Sequence, residues 1–383
     1  DILENSFGLN LYSNNLSIDT EFTVYEDLNK IESDRFEYIL PRLDLTKKIE
    51  NKTSLKGEFS FISNNMIRNY NTNIFEKINV NDLIFNSDPK INNLGFYNNY
   101  DFVIKNSNTD TQNSTDFKED ENYYLSGIFQ FNSSLPLIKE NENYQNILKP
   151  KLSLKLAPNS SKDIRGDDVR IDVNNVYSLN RIGTNDTIEG GASLTLGNDY
   201  SILSKNDLKE IFSLKLANNI RLEENQDLPR NNQIGSKISN VFGEIRFSPN
   251  EYFSTNYNTS IKNNLTDINY ENLVTEFKVN NFVTTFDYLN ENNTKDKNIY
   301  LSNTTKYILD ESNSLMFSTR ENKNLNLTEY YNLIYQYKND CLSASIEYNK
   351  DYYNDRDIRP EESIFLKLTI IPFGQTNSPN LKN

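Results

Sequence analysis

The chain has 383 residues, with 40 Lys+Arg against 54 Asp+Glu and a net charge of -14, a balance that offers nucleic acid no basic face. There is no His, which excludes His-based triads, His general bases and His-ligated metals, and the single Cys341 excludes a disulfide framework. Apolar residues make up 36% and no run of about 20 of them is present to cross a bilayer as a helix, yet 24 Tyr and 22 Phe make the chain too aromatic for a disordered one. The 54 acids make carboxylate pairs inevitable, but no spacing singles out a pair for catalysis, and no enzyme is expected.

In chain order, the opening Asp1-Ile2-Leu3-Glu4 has no initiator Met, basic segment or apolar segment, so a mature or truncated chain is expected. Leu16, Ile18, Thr20, Phe22 and Val24 then alternate with Ser17, Asp19, Glu21 and Thr23. Period two places the first set on one face of a strand and the second on the other. Further strands are predicted over 35–46, 52–70, 95–105, 122–135, 147–157, 187–203, 208–221 and 236–247. The intervening 72–94, 106–121, 158–185 and 222–235 read as long loops or inserts. No 3.6-residue periodicity predicts a long helix.

The last third is the most regular. Phe253, Thr255, Tyr257, Thr259 and Ile261 alternate with polar residues, as do Tyr331 to Tyr337 and Leu342 to Tyr348. Short turns at 248–250, 280–281, 310–313 and 339–340 alternate with longer polar loops at 262–268, 291–297, 321–328 and 350–362. Outer-membrane barrels sort their loops in this way, short on the periplasmic side and long outside. The final strand, 363–373, then runs to the short-turn side and places the C-terminus in the periplasm. The expected fold is all-β, an antiparallel transmembrane β-barrel of the outer-membrane type, with roughly 16–18 strands of 9–11 residues or more. Asn256, Asn258, Glu276, Lys278, Asn332, Gln336, Lys338 and Glu347 are expected to face the lumen. Acidic loops, Asp163, Asp167 and Asp168 or Asp351, Asp355 and Asp357, carry a weak signal for Ca²⁺ or Mg²⁺; the second lacks the Gly and Glu of a calcium hand, and a solvated loop is the better reading.

Four segments carry a resemblance. Residues 174–197 hold Tyr177, Ser178, Asn180 and Arg181, then Gly183, Asp186, Ile188, Glu189, Gly190 and Gly191, then Gly197. Upstream lie Pro150 and Pro158 flanking an alternating strand, and Pro41 and Asp44 at a strand entry. The closing 366–374 is the fourth. In order and spacing these resemble the barrel domain of the LptD family of lipopolysaccharide-transport outer-membrane proteins, and only 174–197 is specific by itself.

The resemblance implies a C-terminal portion of one barrel domain, spanning 1–383, without signal peptide, periplasmic jellyroll or first barrel strands. The barrel is therefore expected to be incomplete, curved or strained. It implies a translocon in the outer membrane of a Gram-negative bacterium, inserting lipopolysaccharide into the outer leaflet through a lumen and a lateral gate. Its implied partners are lipopolysaccharide, an LptE-like lumenal lipoprotein, an LptA-like periplasmic bridge and outer-membrane lipid, with no cofactor. Ile364, Leu366, Leu368, Ile370, Pro372 and Phe373 would form the last-strand lip of the gate. The Gly, Asn and Arg of 174–197 also have an architectural reading, as strand bends and a turn followed by a lumenal ion pair. A porin or receptor barrel, or a secreted glycan-binding all-β protein, are the competing readings.

Overall fold

The computed structural model describes residues 2–117, 119–158, 161–292, 297–352, 360–370, 374–377 and 381–382. They form one antiparallel sheet whose only helical element is a single 3-10 turn, Glu32–Arg35. The strands are β1 (Ile2–Ser13), β2 (Leu16–Asp27), β3 (Phe36–Ile49), β4 (Gly57–Tyr70), β5 (Ile74–Ser87), β6 (Lys90–Ile91), β7 (Tyr97–Gln112) and β8 (Asp120–Ser134). They continue as β9 (Leu137–Glu140), β10 (Tyr144–Ala157), β11 (Gly191–Ser204), β12 (Glu210–Arg221), β13 (Val241–Asn250), β14 (Phe253–Ile261) and β15 (Ile268–Val279). The last are β16 (Phe282–Asn292), β17 (Lys297–Ile308), β18 (Asn313–Asn322), β19 (Leu327–Lys338), β20 (Leu342–Asp351) and β21 (Glu361–Ile370). Two short segments, β22 (Gly374–Asn377) and β23 (Leu381–Lys382), pair with β21.

Each long strand pairs with the next in the chain, an up-and-down meander that needs no crossover. Among the described residues β1 pairs only with β2 and does not meet β21, so the sheet is not closed. Among the described residues there is no second layer of sheet, as a sandwich would require. Long strands among them number nineteen, of 9–16 residues, slightly above the expected range. Two of them were not anticipated. One is β1, and the other is β5, which occupies most of the expected loop 72–94.

The reason lies in Asn. Asn79 and Asn81 read as turn formers, but on the paired strands they hydrogen-bond sideways to other amides. Asn81 Nδ2 donates to Asn79 Oδ1 at 2.7 Å, and Asn108 Nδ2 donates to the same oxygen at 3.0 Å. The expected strict alternation of loop lengths is also weaker than predicted. The turns 251–252 and 280–281 are short, but the connection 323–326 is no longer than 309–312, because the ladders run on into the polar ends.

Period two sorts the faces. On β7 and β8 the odd residues of one and the even residues of the other are buried inward, including Lys105, Ser107, Ser126 and Gln130, while Ile104, Leu125 and Phe129 are exposed. The same apolar exposed face continues through Leu196, Leu216, Leu273, Phe286, Leu333 and Leu366. A largely apolar band of this kind, broken at Asn303 opposite Phe286, is stable against lipid and not against water. Directly opposed rings reinforce it: Phe253 and Phe277 lie 5.2 Å apart, Phe85 and Phe102 5.3 Å. By register, Asn256, Asn258, Glu276, Lys278, Asn332, Gln336, Lys338 and Glu347 lie on the other, concave face.

This sorting makes a first prediction. Leu333→Arg, at the middle of β19 on the convex face, is expected to cost about 2–4 kcal/mol, whereas its neighbour Asn332→Arg on the concave face is expected to be tolerated. Urea unfolding of the lipid-inserted protein measures both. Equal losses would contradict the assignment of faces.

Candidate functional site

The segment after β10, described over residues 161–190, does not wave in solvent. It folds back against the concave face and packs with the second insert, 222–240. Their shared core is Ile164, Ile171, Val176, Ile182, Leu228 and Ile234, closed against the wall by Ala217 of β12 and Phe242 of β13. A smaller cluster joins Ile188 to Val103, Ile128 and Ala157 on β7, β8 and β10. Polar bonds stitch the two inserts together: Arg165 Nη2 to Asp227 at 3.0 Å, Asn232 Nδ2 to the Val169 carbonyl at 2.8 Å, and Asn225 Nδ2 to Ser161 Oγ at 3.1 Å.

Wall contacts come from well-separated strands. Lys105 Nζ on β7 donates to the Asn185 carbonyl at 2.6 Å, and the Arg170 guanidinium lies 3.8 Å over the Tyr270 ring of β15. The insert thus bridges the concave space, and the sheet curves around it.

At the centre is a buried charge network. Glu189 accepts from Arg181 Nε at 2.6 Å and Nη2 at 2.5 Å, from Arg221 Nη1 at 2.6 Å and from Lys155 Nζ at 3.3 Å. None of these four side chains exceeds 3% exposure. One carboxylate therefore faces three cations, and carbonyls and hydroxyls take the remaining donors. Arg181 also donates to the Val176 carbonyl, Thr195 Oγ1, Ser193 Oγ and Asn219 Oδ1. Lys155 donates to the carbonyls of Ser178 and Leu179 at 2.9 and 3.1 Å, and Arg221 to that of Gly190. Burial alone would raise the Glu189 carboxyl, but the Arg181, Lys155 and Arg221 cations outweigh it and hold the group far below the usual carboxylate range.

The other residues singled out from 174–197 sit around this centre. Asn180 Nδ2 closes a turn on the Thr184 carbonyl at 2.7 Å, with Gly183 in the left-handed region at φ 72°. Asp186 pairs with Lys162 at 2.8 Å within the insert. Gly190 N–H donates to Ser161 Oγ, and Gly191, at φ 94°, turns the chain into β11 against Arg221. Gly197, on β11, lies beneath the Tyr177 hydroxyl; a Cβ there would also come 2.5 Å from the Leu216 carbonyl.

The remaining candidates are more scattered. Pro150 is exposed on β10 and its carbonyl accepts from Leu135 N–H at 3.1 Å; Pro158 is exposed where β10 ends. Pro41 falls in a bulge of the β3–β4 ladder, and Asp44 accepts from Arg42 at 3.0 Å. Ile364, Leu366, Leu368 and Ile370 share the convex side of β21, with Leu366 directly opposite Ile346 of β20. Pro372, Phe373, Asp355 and Asp357 lie outside the described residues. Asp163 is engaged by Arg165 at 2.7 Å, and among the described residues no group of three acidic, Cys or His side chains is placed to hold a metal.

Sequence reading did not single out Lys155, Asn219 or Arg221. Each sits at an inward position of an alternating strand, which is the only signal they carry, and that signal does not say what they meet.

The concave face below the insert holds a pocket of about 360 Å³ between β7, β8, β10, β11 and β12. The inserts, the charge network and this pocket are the candidate functional region.

No curated protein matches the chain. Similar solved structures include the siderophore receptor PirA from Acinetobacter baumannii, at 8% identity, with 96% of this chain and 71% of that one covered and a TM-score of 0.46. PirA from Pseudomonas aeruginosa matches at 10% identity over 96% of this chain and 69% of that one, TM-score 0.45. A mutant ferric enterobactin receptor PfeA from Pseudomonas aeruginosa, in complex with enterobactin, matches at 9% identity over 96% and 71%, TM-score 0.43. A family model, LptD or LPS transport system D, matches residues 2–320, most of the sheet and both inserts. The chain belongs to the LptD family, outer-membrane β-barrel proteins of lipopolysaccharide transport.

Proposed function

We propose that this protein delivers lipopolysaccharide into the outer leaflet of the outer membrane, passing the head along the concave face and releasing the acyl chains sideways beside β21. The observation that carries this reading is the unclosed edge. Among the described residues no long strand pairs with the far side of β21, where only β22 and β23 lie. A fully paired wall would keep the lumen and the lipid apart; an edge held by a few ladder bonds is where they can be joined.

The two faces suit the two ends of the molecule. Asn, Ser and Thr on the concave side exchange hydrogen bonds with water at a net of about 0.5–1.5 kcal/mol each, so a sugar head can move over them without being trapped. The convex faces of Ile364, Leu366, Leu368 and Ile370 would form the lip over which acyl chains pass, and Pro372 and Phe373 would extend it. Ile370 ends at the level of the turn 339–341, which puts the C-terminal end of β21 on the periplasmic side in this reading. An LptE-like lipoprotein would occupy the part of the lumen beside β16–β21 that the inserts leave open. An LptA-like bridge would supply substrate through the family's jellyroll domain, which these 383 residues do not contain.

Depleting the complete gene product in the parent cell tests the reading. Surface-exposed lipopolysaccharide is expected to fall while it accumulates behind the outer membrane. Unchanged delivery would remove the translocon reading and leave a barrel with another cargo.

A further inference from the structure

The pocket beneath the inserts differs in charge from the rest of the molecule. The chain carries a net -14, yet Lys149 and Lys151 of β10 and Lys215 of β12 all line this one hollow. Lys151 reaches Asp199 at 2.5 Å, and Lys215 reaches Glu244 at 2.7 Å, where Arg246 also binds at 3.0 Å. Lys149 stands directly opposite Asp199 in the ladder, but its ammonium has no hydrogen-bond or ion-pair partner among the described residues. A third carboxylate, Asp101, is nearby and is already bonded by the amides of Asn99 and Asn132 at 3.1 and 3.3 Å. Four cations face three carboxylates, and the unmatched cation opens on the pocket.

The roof supplies neutral groups. Tyr177 descends from the insert with its hydroxyl buried and without a hydrogen-bond partner. Burial first, and then Asp199, pushes that phenol above its ordinary value, so it remains a donor at every physiological pH. A buried hydroxyl left unpaired is destabilising, and a bound acceptor would recover that loss. At 360 Å³ the space lies at the small end of ligand pockets, roughly 300–1,000 Å³, which suits one or two sugar rings and not a whole glycolipid.

Resting on the transport reading above, we infer that this pocket is a docking subsite for a phosphorylated sugar of the lipopolysaccharide head, with Lys149 holding the phosphate and the Tyr177 hydroxyl bonding the ring. The subsite lies toward the turn 205–209, the side from which substrate enters in that reading. Cargo is thereby oriented beneath the inserts before it meets the open half of the concave face.

The test is calorimetric titration of the complete parent protein in detergent with three probes: a lipid-free phosphorylated core oligosaccharide, the same oligosaccharide dephosphorylated, and inorganic phosphate. The phosphorylated sugar is expected to bind best. Lys149→Gln should weaken it about tenfold, the scale of one charge-assisted hydrogen bond, and Lys149→Arg should retain it. Tyr177→Phe should weaken both oligosaccharides by a few-fold. No binding of the phosphorylated probe, equal binding by Lys149→Gln, or inorganic phosphate binding as tightly as the sugar would each overturn the assignment. If depletion of the parent protein still blocks surface delivery while these variants bind alike, the subsite falls and the transport reading stands. If delivery does not depend on the parent protein, both fall.

Discussion

Replacing Glu189 by Gln is expected to free the insert 158–190 from the wall of the sheet. The substitution leaves Arg181, Arg221 and Lys155 with no counter-charge, and all three are buried to within 3% of complete. Removing one partner from a buried, hydrogen-bonded ion pair costs about 3–5 kcal/mol, because the groups left behind stay buried without their counter-charge. The loss should be local. The ladders of β10, β11 and β12 do not depend on the carboxylate, but the insert does: the network ties Val176, Ser178, Leu179 and Gly190 to those strands.

Limited proteolysis and amide exchange over 158–190 read the effect directly. The fitting comparator is Asp186→Asn, whose partner Lys162 is 35% exposed and whose loss should cost no more than about 1 kcal/mol. If Glu189→Gln protects the insert as well as Asp186→Asn does, the network is not what holds it. Acidification cannot substitute for the mutation. The folded-state carboxyl is depressed, so its contribution is complete above the unfolded value, about 4.3, and fades only as pH falls through the much lower folded value.

Gly197→Ala is expected to unseat the same insert from a different side. A Cβ at this position collides with the Tyr177 hydroxyl and comes within 2.5 Å of the Leu216 carbonyl and 3.2 Å of Ala217 Cβ. Overpacking of this kind costs about 1–3 kcal/mol. Tyr177 can swing away, but only by disturbing the apolar cluster of the inserts against which it packs. The backbone oxygen of Leu216 cannot.

The double variant Gly197→Ala with Tyr177→Phe separates the two contributions. Removing the hydroxyl relieves the first collision and leaves the second, so part of the lost stability should return. Thermal unfolding and proteolysis of the insert measure both variants. Full additivity would show that the Tyr177 contact plays no part, and complete rescue would show that the backbone of β12 yields.

Both results bear on transport. An insert that bridges the concave space from β7 to β15 narrows any path through the sheet on one side and leaves the β16–β21 side open. Loosening it should change what passes along the concave face and leave the convex face unaffected.

Much of this was written in local sequence. Period-two alternation in segments such as Phe253 to Ile261 fixes which side chains share a face, because the backbone itself turns successive residues to opposite sides. The concave placement of Asn256 or Gln336 and the convex placement of Leu366 therefore follow from parity alone, once one face is known to be apolar. Turn residues such as Asn280 and Asn281 marked the hairpins for a similarly local reason. Where local signals conflicted, the reading failed. The Asn of β5 resembled turn residues and became a ladder only when Asn65 and Asn108 stood beside them.

The inserts were decided by tertiary structure. Composition marked 158–185 and 222–235 as irregular, and it could not say that they fold inward. Arg181 was read as half of a lumenal ion pair whose partner was not named, and Lys155 and Arg221 stand 34 and 32 residues from Glu189 on different strands. They are brought to one carboxylate by register, since Lys155 and Arg221 both stand opposite Ser193 across β11, and by the insert folding back over that row. Local sequence records neither, because register is settled only when the strands pair and the insert packs against them. The pocket has the same origin: Lys149, Lys151 and Lys215 are unremarkable in the sequence, and they become one site only where β10, β12 and the descending Tyr177 meet.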